Sequence, residues 1–190
     1  MYSMMVVRSP DDEDIATIGR QPDLSFLKQS LYWYAGEKFG LVVPEPLEFA
    51  FDPGGGTYVP DFFAPPIPLM TGRMLDVLAR AGVDNIDSFS AVIKTEDSKD
   101  LRTDFRAVNL LGLVKCADLS ASQCDIDDPD IPGGVTFDSL TIDLTKTQGL
   151  LFFRLFEAPQ GIVVHDSVRD RLEAAQLRGI EFISPSEWSG

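Results

Sequence analysis

The 190 residues predict an α+β fold, with a mixed or mainly antiparallel sheet and two repeated strand-helix-strand units. Three observations carry this expectation. Short β-prone runs recur along the chain, clusters of Gly, Pro and Asp separate them, and two stretches match each other at an offset of 94 residues. A chain of this length is expected to form one domain over residues 1–190, burying roughly 70% of the surface its unfolded form exposes. With 44% apolar residues and 13 Phe, a packed core follows.

Met4–Val7 reads as a short strand, followed by the acidic run Asp11, Asp12, Glu13 and Asp14. In "DLSFLKQSLYWYA", Leu24, Leu27, Leu31 and Tyr34 recur at helical intervals, with Asp23 placed to cap the N-terminus. Leu47–Phe51 reads as a strand, Gly54–Gly56 as a turn, and the proline-rich stretch after "VPDFF" as irregular chain. Phe89–Ile93 and Phe105–Leu110 form a predicted hairpin around the charged loop "KTEDSKDLRTD". "CDIDDPDIPGG" reads as a surface loop, and "VTFDSLTIDL" and "GLLFFRLF" as the strands beyond it.

The matched stretches are "IPLMTGRMLDVLARAGVDNI" and "IVVHDSVRDRLEAAQLRGI", within units of about residues 67–93 and 161–184. Each places an apolar run before a helix and an isoleucine after it. Met74, Leu75, Leu78 and Ala81 in the first helix, and Val168, Leu172 and Ala175 in the second, form one apolar stripe each. Ser167 with Asp170 fits a capping-box pattern at the second helix start, just after His165. Asn85 and Gly179 occupy equivalent positions, where a left-handed turn into the next strand is expected.

The chemistry is sparse. Nucleophilic catalysis needs an activated serine or cysteine, and His165, the one histidine, has no GxSxG elbow to serve; its counterpart in the first unit is Thr71. Asp61 stands among apolar residues in "VPDFF", where a turn or capping role is expected. Asp125, Asp127, Asp128 and Asp130 superficially suggest a calcium loop but lack its central glycine and terminal glutamate at the right offsets. Gly54–Gly56 lack the lysine and following helix of a phosphate loop. Cys116 and Cys124 match neither a redox nor a zinc spacing, and are expected as reduced thiols. No catalytic residue, cofactor or metal is therefore assigned.

Net charge is −14, from 30 acidic and 16 basic residues, which disfavours direct contact with nucleic acid or anionic membranes and suits a basic partner. The N-terminal sequence has no signal-peptide pattern and no apolar run long enough to span a bilayer, so a cytoplasmic location is expected.

Three blocks carry a likeness. They are "FFRLFEAPQGIVVHDSVRDRLEAAQLRGIEF", "VPDFF" with "IPLMTGRMLDVLARAGVDNIDSF", and "FRAVNLLGLVKCADLSAS" with Asn109, Asp118 and Ser120 or Ser122. Over residues 55–185 the chain resembles a bacterial immunity protein family of polymorphic toxin systems, the myxobacterial-type immunity domain formerly of unknown function. It departs from that pattern at Gln176, in place of a helix-ending glycine, and at His165, where serine is more usual. The resemblance implies a non-enzymatic protein that binds and neutralises a cognate toxic effector of a contact-dependent or type VI secretion system. The contacts expected from charge are Asp125, Asp127, Asp128 and Asp130, then Asp11, Asp12, Glu13 and Asp14. A small carboxylate-dependent hydrolase, a secretion adaptor and an acidic nucleic-acid mimic are the competing classes.

Overall fold

A computed structural model describes residues 1–8, 14–25, 32–64, 66–94 and 101–190. In chain order the elements are β1 (Tyr2–Val7), β2 (Ile18–Arg20), β3 (Leu47–Phe51), β4 (Phe62–Phe63), β5 (Leu69–Thr71), α1 (Gly72–Arg80), β6 (Ile86–Lys94), β7 (Leu101–Arg102) and β8 (Phe105–Leu110). They continue with β9 (Leu113–Val114), β10 (Gln123–Ile126), β11 (Val135–Ser139), β12 (Phe152–Leu155), β13 (Ile162–His165), α2 (Asp166–Ala174) and β14 (Ile180–Ile183). This is a sheet-rich α+β protein.

One mixed sheet runs β14-β1-β13-β12-β9, and a second runs β2-β3-β6-β8-β5-β4 with β7 also paired to β6. β10 and β11 form a separate hairpin. In the second sheet β8 lies between β5 and β6 and is antiparallel to both. In the first, β1 lies in the same way between β13 and β14. Each helix thus connects two strands of the same direction across one intervening strand, and the parallel pairs β3–β6 and β9–β12 complete the mixture.

The continuous apolar runs are explained by burial on both sheet faces. Met5, Phe152, Ile162 and Val164 face a central core with Met70, Val108, Leu110, Met74, Leu78, Val168 and Leu172, so both sheets and both helices meet there. Their neighbours Met4, Phe153, Leu155 and Val163 face the opposite way, against Val135, Phe137 and Trp188. Leu69, Phe105 and Ala107 turn to a third cluster with Phe49, Ile93 and Trp33. Fully burying each such side chain contributes about 1.5–3 kcal/mol.

The two helix starts are capped differently, and the second departs from the capping-box expectation. Thr71 caps α1, its Oγ1 accepting from Met74 N at 3.2 Å. His165, not Ser167, caps α2: Nδ1 accepts from Ser167 N at 3.2 Å. An imidazole nitrogen can do this because it carries an in-plane lone pair when unprotonated, as a hydroxyl oxygen does. At the other ends, Gly82 and Gln176 adopt φ of 89° and 51°, so Gln176 performs the left-handed helix stop without the glycine. Gly179 is left-handed too, at φ 70°. Asn85 is not; its Nδ2 donates to the Leu111 and Phe152 carbonyls at 2.5 and 2.8 Å and ties the two sheets together.

The helix read over Leu24 to Tyr34 lies mostly on residues 26–31, outside the described residues, and Leu24 and Tyr34 themselves are not helical. Asp23 makes a local turn instead, accepting from Ser25 N at 2.9 Å. The segment from Cys124 is not loop from its start, since Cys124, Asp125 and Ile126 belong to β10. Gly56 is required by a close approach, because a Cβ there would collide with the Asp14 carbonyl. No helix among the described residues is long and apolar enough to cross a membrane.

Candidate partner-binding surface

The β10–β11 hairpin holds Asp125 in its first strand and Asp127, Asp128 and Asp130 in its turn, all four exposed. The turn is built by its own polar groups. Asp128 Oδ1 accepts from Asp130 N at 2.9 Å, the amides of Asp127 and Asp128 donate to the Gly134 carbonyl, and a Cβ on Gly134 would strike the Asp128 carbonyl. Its base is fastened to the chain after β12, with Gly133 N donating to Phe156 O at 3.1 Å and Val135 N to Glu157 O at 3.2 Å.

A groove of about 640 Å³ runs beside this base, walled by Tyr32, Tyr34, Leu113, Pro132, Phe156 and Pro159. Tyr32 is 70% exposed, which makes it the most accessible aromatic ring in the wall. Lys115 joins the groove to the acidic turn: Nζ lies 2.8 Å from Asp130 Oδ1 and 5.5 Å from the Phe156 ring centroid. The ammonium holds the Asp130 carboxyl below the usual carboxylate range. Acidic rim and aromatic wall are therefore one surface, the arrangement by which protein interfaces combine anchoring rings with charge that guides encounter.

Behind the wall, the Arg154 guanidinium stacks on Tyr34 at 4.1 Å from the ring centroid and donates through Nη1 to the Pro159 carbonyl at 2.8 Å. Arg154 is 2% exposed and its Nε has no partner among the described residues; burial lowers its pKa to about 10. Burial likewise raises the Tyr34 phenol. Glu157, also buried, accepts from Ala117 N at 3.1 Å with one oxygen, the other has no partner among the described residues, and burial raises its pKa. These groups fix the groove from below at an electrostatic cost.

The remaining candidates lie elsewhere. Asp11, Asp12 and Glu13 are outside the described residues. Asp14 is exposed beside Gly56 and Tyr58, its carbonyl accepting from Tyr58 N, and no described contact joins it to the hairpin. His165 is occupied with its cap, and Nδ1 also lies 2.9 Å from Ser167 Oγ; the adjacent Asp166 pairs with the N-terminal amine and Arg169 instead of orienting the ring. Asp61 is buried and structural: Oδ1 accepts from Thr71 Oγ1 at 2.6 Å and Oδ2 from Arg178 N at 2.5 Å, locking the α1 start to the turn before β14.

Asp118 and both nearby serines act together. Its Oδ1 accepts from Ser120 Oγ at 2.6 Å, which holds the carboxyl low, while Ser122 Oγ donates to the Asp118 carbonyl at 2.7 Å and accepts from Thr141 N at 2.9 Å. Asn109, fully buried, donates to the Glu37 carbonyl at 2.7 Å. Cys116 and Cys124 are free thiols, and among the described residues no group of three His, Cys, Asp or Glu side chains is arranged to hold a metal.

No sequence pattern marks Tyr32, Phe156 and Arg154 as contacts, and the spacing of Tyr34 points to a helical stripe; only the fold brings these distant segments together. No curated protein matches the chain. A family model does match, over residues 7–186, further towards the N-terminus than the likeness read from residues 55–185. Nearly the whole chain is covered, and the protein belongs to the immunity protein family Imm11.

Proposed function

We propose that this protein binds a cognate toxic effector, one delivered by a contact-dependent or type VI apparatus, and neutralises it stoichiometrically in the producing cell's cytoplasm. The observation that carries the proposal is the continuity from Asp130 through Lys115 to Phe156, which makes the acidic turn the rim of an aromatic groove. The toxin inserts an apolar side chain between Tyr32, Tyr34 and Phe156, while Asp125, Asp127 and Asp128 face basic groups around its active-site cleft. Net charge of −14 raises the association rate with such a partner. A nucleic-acid-cleaving toxin, whose cleft must be basic, fits this charge. The protein acts by occlusion, without catalysis, cofactor or metal. The same reading takes residues 67–93 and 161–184 as copies of one unit, supported by Thr71 and His165 as equivalent caps and Gly82 and Gln176 as equivalent stops.

Co-expression with the toxin encoded beside it tests the proposal. Cells are expected to survive only when the protein is present, and to lose protection with a Tyr32→Ala, Phe156→Ala double variant that remains folded. Death of cells carrying the wild type would overturn neutralisation; full protection by the folded double variant would overturn the groove's role.

A further inference from the structure

In a chain with an excess of acidic groups, one concave site is cationic. A cavity of about 400 Å³ is lined by Arg73, Arg102, Arg106 and Arg178, against two carboxylates, Asp61 and Asp104. Asp104 takes a bidentate pair from Arg102 at 2.9 and 2.6 Å, while Asp61 keeps its charge and accepts from neutral donors, the Thr71 hydroxyl and the Arg178 amide. The Glu45 carboxylate, which accepts from Ser90 N, acts on Arg106 from beside the cavity, so the arginines retain a modest excess. Among the described residues, the guanidiniums of Arg73, Arg106 and Arg178 have no carboxylate within ion-pair distance.

The arginines are held in position. Arg178 lies over the Tyr58 ring at 4.5 Å and Arg102 over Phe105 at 5.4 Å, while Arg106 is fixed by Ser88 through Nε at 2.9 Å and Nη2 at 3.1 Å. Arg73 donates to the Ala175 carbonyl. Gly72 and Arg73 at the start of α1 also line the cavity; Gly72 N donates to the Asp104 carbonyl and Met74 N to Thr71 Oγ1, so the helix contributes its dipole rather than free amides. Planar guanidiniums in a fixed fork match the oxygens of a phosphoryl group better than ammonium groups do. The volume exceeds what phosphate alone needs and falls in the range of small-ligand sites.

We infer that this cavity binds a small phosphoryl-bearing anion, either free polyphosphate or the phosphate end of a nucleotide. The site is separate from the toxin-binding groove, sharing none of its lining residues.

Calorimetric titration of the toxin-free protein with pyrophosphate, ADP and adenosine, at fixed ionic strength, tests the inference. Saturable binding of pyrophosphate or ADP but not adenosine is expected; tighter ADP than pyrophosphate binding identifies a nucleotide, the reverse order a free polyphosphate. An Arg73→Gln, Arg178→Gln variant should bind at least tenfold more weakly, whereas Arg80→Gln, Arg171→Gln, with the same charge change on exposed helix positions, should bind as the wild type does. Asp104→Asn releases Arg102 and should tighten binding, a gain that misfolding cannot produce. Absence of saturable binding by both phosphates, equal loss in the two double variants, or no gain in Asp104→Asn would overturn it. Because no toxin is present, the result is independent of whether neutralisation occurs.

Discussion

The Arg154 guanidinium lies 4.1 Å from the centroid of the Tyr34 ring, and Tyr34 is a wall of the groove beside the acidic hairpin. Among the described residues this buried cation has no carboxylate partner, and it is covered by the same ring that the proposed interface uses. Tyr34→Ala is predicted to lower stability by about 2 kcal/mol, the scale of a desolvated cation–π contact, and Tyr34→Phe by much less. Urea unfolding of the two variants checks this, and equal losses would show that the hydroxyl rather than the ring matters.

Thr71 and His165 do one job with different chemistry, each accepting from an amide in the first turn of its helix. Replacing either by Ala is expected to cost about 1 kcal/mol. The Thr71 loss should be the larger, since its hydroxyl also donates to buried Asp61 at 2.6 Å. His165→Ser should recover the cap but not the edge contact of His165 with Tyr2, whose ring centroids lie 5.1 Å apart. Chemical unfolding midpoints for the three variants separate these contributions.

Gln176 holds a left-handed φ of 51° that an L side chain disfavours. Gln176→Gly is predicted to stabilise by about 1 kcal/mol, and Gly82→Ala, at φ 89°, to destabilise by a similar amount. Thermal unfolding gives the sign directly; a destabilised Gln176→Gly would mean that its side chain makes a contribution larger than the backbone strain.

Burial raises the Glu157 pKa, so between its unfolded value and that raised value the native state binds more protons than the unfolded state. The contribution of Glu157 to stability is fully present below the ordinary glutamate pKa and is lost as pH rises through the folded pKa. Glu157→Gln keeps an acceptor for Ala117 N and removes the buried charge. It is expected to stabilise by roughly 1 kcal/mol at pH 7, with the advantage shrinking as pH falls towards the ordinary glutamate range. A pH-independent difference would contradict this.

Burial also drives the Cys116 thiol up to about 12, whereas Cys124 is half-buried on β10. Alkylation of the native protein at pH 8 is expected to spare Cys116 and reach any accessible thiol only at Cys124. Both should react after unfolding, as read by peptide mass. Modification of native Cys116 at the rate of an unfolded control would contradict the burial described for the hairpin side of the first sheet.

What the sequence made legible was local. β3 falls at the predicted Leu47–Phe51, β6 pairs with β8 where two β-prone runs flank a charged segment, although Leu101 and Arg102 of that segment form β7 rather than loop, and both helices fall where an apolar stripe recurs. The helix expected over residues 24–34 shows the limit of periodicity: Leu24 and Tyr34 sit in irregular chain and pack with the third core cluster. The acidic turn was visible from Asp, Pro and Gly, but the groove was not, because Tyr32, Leu113, Phe156 and Pro159 meet only through tertiary contacts. Asp118 with Ser120 and Ser122 was visible as residues and not as roles, since those depend on a bond to Thr141 across a loop.

The most direct test of neutralisation by binding is a titration of the purified cognate toxin with this protein, following toxin activity and complex mass in the same samples. The account predicts a linear fall to zero activity at one protein per toxin, with a 1:1 complex whose association slows steeply as salt rises. Full toxin activity at a several-fold excess of folded protein would contradict it.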